Sequence, residues 1–336
     1  MIAMVRLLFR ACLLITAFAF RAGGTEIVHG TVRRDTIWSP TLGARKQMLI
    51  YLPTSYDTSH TATKRYPVAV YLHGRWGDET DLVYKGHLSA AMDSLVATGM
   101  PEMIVVMPDG DDGWWTSWAT PSNMENCRTT KHRAEQPDEF CVPTPRYDEY
   151  VVNDVLTHID SSYHTLARAE SRGIGGLSMG GYGAFVIAAM HPGVFGAAVS
   201  HGGVLTPGLF PVSSNMSATG APSWRVGRTT AELMKATTFR WESMYPMFGY
   251  DSTTWRQRDP ALLMTALKSH GEKMPALYAD VAIDDEALEQ NRVFLRAMDS
   301  NGIRVQYAEW QGKHTWIYWK KHLPEGLSFL AEHLTR

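Results

Sequence analysis

Gly176-Leu177-Ser178-Met179-Gly180 is a G-x-S-x-G run lying between a short apolar segment that ends at Ile174 and the small-residue stretch 181–189. In a strand-to-helix setting this spacing reads as a nucleophile elbow. The serine occupies a strained turn with its hydroxyl pushed outward, and the glycines stand where a Cβ would strike the flanking strand and helix. The backbone N–H of Met179, opening the following helix, then faces the oxygen of a carbonyl under attack. A serine hydroxyl is a weak nucleophile at neutral pH, so an imidazole must take its proton and a carboxylate must orient that imidazole.

Among the 13 histidines, His314 combines a late position, the end of a strand-like run (Val305, Gln306, Tyr307, Ala308) and a neighbouring glycine, Gly312. For the carboxylate, Asp280, Asp284 and Asp285 follow the strand-like Ala276-Leu277-Tyr278-Ala279, and the residues alone leave the three open. After another buried-strand pattern comes His73-Gly74-Arg75-Trp76-Gly77, whose Arg75 N–H is the expected second oxyanion donor. His73 is expected to brace that loop and to take no part in proton transfer. A dinucleotide-binding loop is excluded because Ser178 occupies the position of its third glycine. His322 and His333 fall in a C-terminal helical pattern, where solvated or capping roles are expected.

The elements that must position these groups are legible as a pattern. Segments 27–37 and 46–52 flank Ser39-Pro40-Thr41-Leu42-Gly43 and predict a hairpin. Unbroken apolar runs at 68–72, 103–107 and 197–200 each stop at a turn, which predicts strands buried on both faces. Helical patterns at 88–98, 147–162, 181–190 and 285–301 alternate with them and predict an α/β fold, a mainly parallel sheet covered on both sides. The irregular, aromatic-rich stretch 205–259 is expected to form a cap-like insertion over the carboxyl ends of the strands.

Composition narrows the partners. With 45% hydrophobic and 20% charged residues and a net charge of −2, the chain has a globular core and no electrostatic footprint for nucleic acid or an anionic membrane. Arg6 and Arg10, an apolar stretch at 11–20, and Ala22, Gly23 and Gly24 have the layout of a secretory signal peptide over residues 1–24, implying a secreted or periplasmic protein with 25–336 as one domain. The alternative is an uncleaved anchor. Cleavage removes Cys12 and leaves Cys127 and Cys141, an even pair expected to form a disulfide across a Pro-rich loop. Two cysteines with only His132 between them fall short of a zinc set, so no metal or other cofactor is expected. Asp109, Asp111 and Asp112 lack the glutamate of a calcium loop and read as a solvated acidic turn. Trp114, Trp115 and Trp118 either line a substrate pocket or pack under a loop.

Taken together, Leu72-His73-Gly74, the block 176–184, His191-Pro192-Gly193-Val194-Phe195, and Gly312-Lys313-His314-Thr315-Trp316 with Tyr318-Trp319 resemble the esterase D type of α/β-hydrolase, a group that includes S-formylglutathione hydrolases, tributyrin and feruloyl esterases and related mycolyltransferases. The resemblance extends from about Val68 to the C-terminus and implies an α/β-hydrolase fold. It also assigns Asp285 as the triad acid, because an acidic residue precedes a Glu-x-Asn element in this group, here Glu289-Gln290-Asn291. Ala282 and Glu286 depart from the group's usual glycine and apolar residue, which keeps Asp284 and Asp280 as alternatives. The expected activity is hydrolysis of a small-molecule or polysaccharide-linked carboxylic ester through an acyl-serine. Transfer to a sugar or lipid hydroxyl, or binding without catalysis on the same scaffold, are the competing expectations.

Overall fold

The computed structural model describes residues 29–57, 63–129, 137–211, 224–233, 246–249 and 251–335. The segment 1–24, Cys12, His132, Phe239, Trp241, Tyr245 and Tyr250 lie outside them. Among the described residues there are ten strands: β1 Thr31–Ser39, β2 Ala44–Leu52, β3 Val68–Leu72, β4 Ile104–Pro108, β5 Arg172–Leu177, β6 Ala197–His201, β7 Leu209–Pro211, β8 Trp224–Val226, β9 Ala276–Ala282 and β10 Gln306–Trp310. Eight of them form one sheet in the order β1-β2-β4-β3-β5-β6-β9-β10, and β7 and β8 pair separately. The β1–β2 and β2–β4 pairings are antiparallel and every other pairing in the large sheet is parallel.

Alternate residues of each central strand feed two cores, which is why the sequence shows unbroken apolar runs. Val68, Val70 and Leu72 of β3 join one cluster, with Ile104 and Val106 of β4. Ala69 and Tyr71, with Val105 and Met107, join the other on the opposite face. Helices α1 Leu88–Ala97 and α6 Trp316–His333 contribute to the second cluster. Helices α3 Met179–Met190, α4 Pro260–Ser269 and α5 Leu288–Ser300 contribute to the first.

The predicted hairpin and helices are present, with shifts of a few residues at their ends. The 147–162 helix differs in kind: Tyr147–Glu149 and Leu156–Ser162 (α2) are α-helical, and Tyr150–Val155 between them is π-helical. Within the 205–259 stretch, Phe210, Phe248 and Trp255 are buried, and Trp224 is half-buried. The Phe248 ring centroid lies 5.8 Å from that of Trp114, 5.7 Å from Tyr182 of α3 and 4.7 Å from Trp255.

The parallel topology places every strand-to-helix loop of β3, β5, β6, β9 and β10 at one edge of the sheet. His73, Ser178, Gly202, Asp285 and His314 all stand there.

Candidate active site

Ser178 adopts φ 53° and ψ −115°, between β5 and the first residue of α3. The tightness of that turn explains the glycines around it. A Cβ on Gly176 would lie 2.4 Å from the Gly180 carbonyl carbon, and one on Gly180 would lie 2.2 Å from the Leu72 carbonyl oxygen. The Ser178 N–H donates to the His201 carbonyl at 2.9 Å, tying the elbow to the end of β6.

His314 reaches this turn from the loop after β10. Its Nε2 lies 2.8 Å from Ser178 Oγ, and its Nδ1 lies 2.8 and 2.9 Å from the two carboxylate oxygens of Asp285. Asp285 is buried, and its Oδ1 also accepts the Ala287 N–H at 2.7 Å, so the carboxylate is held before His314 arrives. With the Asp285 carboxylate accepting the Nδ1 proton, a neutral imidazole presents a bare Nε2 to the serine hydroxyl. The Trp319 ring stands edge-on to His314, with centroids 4.8 Å apart. Gly202 has φ +55°, and a Cβ there would lie 3.1 Å from Asp285 Oδ2, so the loop after β6 closes tightly over the pair.

Of the other two carboxylates considered, Asp284 is exposed and gives its backbone N–H to Gly312. Asp280 does not follow its strand as the sequence pattern suggests. Strand β9 runs on to Ala282, so Asp280 is wholly buried within it, 2.7 Å from His201 Nδ1. Asn291 of the Glu-x-Asn element is buried and donates to the Gly203 carbonyl at 2.8 Å, bracing the loop beside Gly202.

The loop carrying Arg75 lies against the elbow: a Cβ on Gly74 would be 3.5 Å from Ser178 Cβ. His73 is its strut. Gly110 N–H donates to His73 Nε2 at 3.0 Å, which leaves the ring proton on Nδ1 to donate to the Gly74 carbonyl at 2.9 Å.

Three expectations are corrected by packing. Trp114 and Trp115 do not line a pocket: both are about fully buried, and Trp115 donates from Nε1 to the His73 carbonyl at 3.1 Å. Trp118 does face a cavity of about 430 Å³, with Asp112, Asn126, Phe140, Tyr147 and Pro246 among its walls. The Asp109–Asp112 turn is not simply solvated. Lys46, with no exposed side-chain surface, sits 3.0 Å from Asp109 Oδ2 and 2.5 Å from Asp111 Oδ2. Burial depresses the Lys46 pKa, but the two carboxylates outweigh it and push it up to about 12. Asp112 accepts the Trp76 N–H at 2.6 Å, linking this turn to the Arg75 loop. Finally, His322 is buried and stacks on Trp310, with centroids 5.3 Å apart, whereas His333 does cap its helix by bonding the Phe329 carbonyl.

Cys127 and Cys141 are brought side by side, with Cα atoms 5.7 Å apart, and Cys127 is among the walls of the Trp118 cavity. No helix among the described residues is long and apolar enough to cross a membrane.

A mainly parallel sheet flanked by helices, with a serine elbow after β5 and His and Asp after later strands, defines an α/β-hydrolase architecture. Residues 39–330 match the family described as "Putative esterase", and the chain belongs to that Esterase family. It is 28% identical over 194 residues to an endo-1,4-beta-xylanase/feruloyl esterase of Xylanibacter ruminicola, covering 57% of this chain and 23% of that one. It is 26% identical over 310 residues to an esterase of Mycobacterium tuberculosis, covering 87% of this chain and 58% of that one. The chain thus spans less than two thirds of the length of these relatives. In fold it is similar to a ferulic acid esterase, with a TM-score of 0.65 and 23% identity, covering 92% of this chain and 100% of that one. An S-formylglutathione hydrolase of Staphylococcus aureus matches with a TM-score of 0.63 and 17% identity, covering 90% of this chain and 99% of that one.

Proposed function

We propose that this protein is an exported serine carboxylesterase. The observation that carries the reading is His314 standing within hydrogen-bond reach of Ser178 Oγ through one ring nitrogen and of Asp285 through the other. Ser178 attacks the ester carbonyl carbon as its proton passes to His314 Nε2, and Asp285 holds the imidazole and balances its charge. The C=O electron pair moves to oxygen, where the N–H groups of Met179 and Arg75 receive it, each worth about 2.7 to 4 kcal/mol in comparable sites. Collapse expels the alcohol, which takes the proton from His314 and leaves an acyl-serine. Water, deprotonated by His314, then repeats the attack and releases the acid.

The Trp118 cavity is proposed to receive part of the substrate, since Trp118, Tyr147 and Phe140 offer aromatic faces beside the carboxylate of Asp112. The names of the relatives favour a feruloyl or other carboxylic ester, including one linked to a polysaccharide. Export rests on the 1–24 segment and on a Cys127–Cys141 disulfide, which oxidising compartments favour.

The test is hydrolysis of short-acyl and feruloyl esters beside Ser178→Ala, together with mass measurement after fluorophosphonate treatment. One adduct on the unaltered protein and none on the variant is the expected result. Ester hydrolysis that survives Ser178→Ala would overturn it.

A further inference from the structure

Behind the catalytic edge lies a second set of polar side chains, fully enclosed between the two layers. Tyr71 OH is 2.6 Å from His201 Nε2, His201 Nδ1 is 2.7 Å from Asp280 Oδ2, and Tyr318 OH donates to Asp280 Oδ1 at 2.8 Å. All four residues are at most 2% exposed. Burial first, and then the neighbouring Asp280 carboxylate, hold both phenols well above their ordinary pKa, so each keeps its proton and donates. The chain therefore has one direction: Tyr71 donates to His201, His201 to Asp280, and Tyr318 closes from the other side. A buried carboxylate is costly unless its oxygens are satisfied, and here two donors satisfy it. Apolar residues could fill this space as stably, so stability alone does not account for the set.

Its placement does. Tyr71 is the penultimate residue of β3, four residues before Arg75. The His201 carbonyl accepts the Ser178 N–H, and the Asp280 carbonyl accepts the Gly202 N–H at 2.6 Å. Tyr318 stands four residues after His314, its ring so close to Gly312 that a Cβ there would lie 2.8 Å away. We infer that Tyr71, His201, Asp280 and Tyr318 are positioning residues, a buried tie that fixes the oxyanion loop, the serine elbow and the His314 loop in register with one another. This rests on the proposed role of Ser178 and His314. It would act on the rate and not on substrate affinity, because misplacing reacting groups by about 1 Å can cost about 10²-fold in rate.

Tyr71→Phe and Tyr318→Phe each remove one hydroxyl and leave the ring. Tyr51→Phe is the control, since Tyr51 is equally buried in the same cluster and donates to Asp93 at 2.7 Å, away from the site. Assayed well below their melting temperatures, Tyr71→Phe and Tyr318→Phe should lower kcat about 10- to 100-fold with KM within about twofold. They should slow fluorophosphonate labelling of Ser178 in parallel. Tyr51→Phe should lower the melting temperature and leave kcat unchanged. Melting losses in all three with kcat and labelling unaltered would overturn the inference, and either site variant suffices should the other fail to fold. If the unaltered protein labels at Ser178 but hydrolyses no ester, the proposed activity fails and labelling rates still decide on the tie. If it does neither, both are wrong.

Discussion

Ser178 holds a backbone conformation, φ 53° and ψ −115°, that a residue with a Cβ adopts only under constraint. Such strain is of the order of 1–3 kcal/mol, and it is the cost of presenting Oγ outward at the end of β5. Ser178→Gly should therefore abolish hydrolysis and also raise stability by about 1 kcal/mol, read as a higher melting midpoint. An unchanged or lower midpoint would show that the hydroxyl's bond to His314 outweighs the strain. The three neighbouring acids make a second contrast. Asp285→Asn keeps the shape but removes the charge that orients the imidazole, and kcat should fall by about 10⁴-fold. Asp284 is exposed and touches the site only through its backbone, so Asp284→Asn should stay within about twofold of the parent. A large loss in the latter with little in the former would exchange their roles.

At the scale of elements, the parallel strands were readable because burial on both faces leaves unbroken apolar runs, and the elbow was readable because only glycine fits where backbones meet at 176 and 180. What stayed hidden was charge inside the core. Lys46, Asp109 and Asp111 look like surface residues in a list of types, and only tertiary pairing removes them from water. Asp280 was misplaced for a related reason: a carboxylate after four apolar residues marks a strand end unless a distant histidine and phenol receive it. Asp148 is a further buried charge, joining the start of the 147–162 helix to the end of α3. It bonds His191 at 2.9 Å and Ser117 at 2.6 Å. Burial raises its pKa, and the bonds from His191 and Ser117 more than reverse this, leaving it below the ordinary value. A carboxyl group depressed in the folded state binds fewer protons there than in the unfolded chain. Its stabilisation is therefore complete above about pH 4 and is lost as pH falls through the folded value. Asp148→Asn should cost about 1–3 kcal/mol at pH 7, and denaturant titrations should show the difference narrowing below about pH 4. A gap that stays constant to pH 3 would mean that shape, not charge, is what Asp148 supplies.

At the scale of the whole molecule, the proposed reacting groups and the cavity proposed to receive substrate belong to different parts of the fold. Ser178, Asp285 and His314 project from loops anchored by β5, β9 and β10, all in one eight-stranded sheet. The Trp118 cavity is walled instead by the stretch around Cys127, Phe140 and Val142, outside that sheet. Segregation of this kind lets the wall change without moving the reacting groups. The proposed Cys127–Cys141 disulfide, with 14 residues of sequence separation, would close a loop, and such a cross-link is worth about 3 kcal/mol by loop-closure entropy. Replacing both cysteines by serine should lower stability by up to about that amount. The kinetic effect should depend on the ester. A short acyl ester, which has no need of the cavity, should keep both kcat and KM, whereas a bulky aromatic ester should show a raised KM with kcat retained, because uniform binding is lost and the chemistry is not. Steady-state kinetics on the two esters, run with the parent and the double variant, would read this directly. Equal losses of kcat on both would mean that the cross-linked loop supports the catalytic edge itself, and the proposed separation of binding wall from reacting groups would have to be given up.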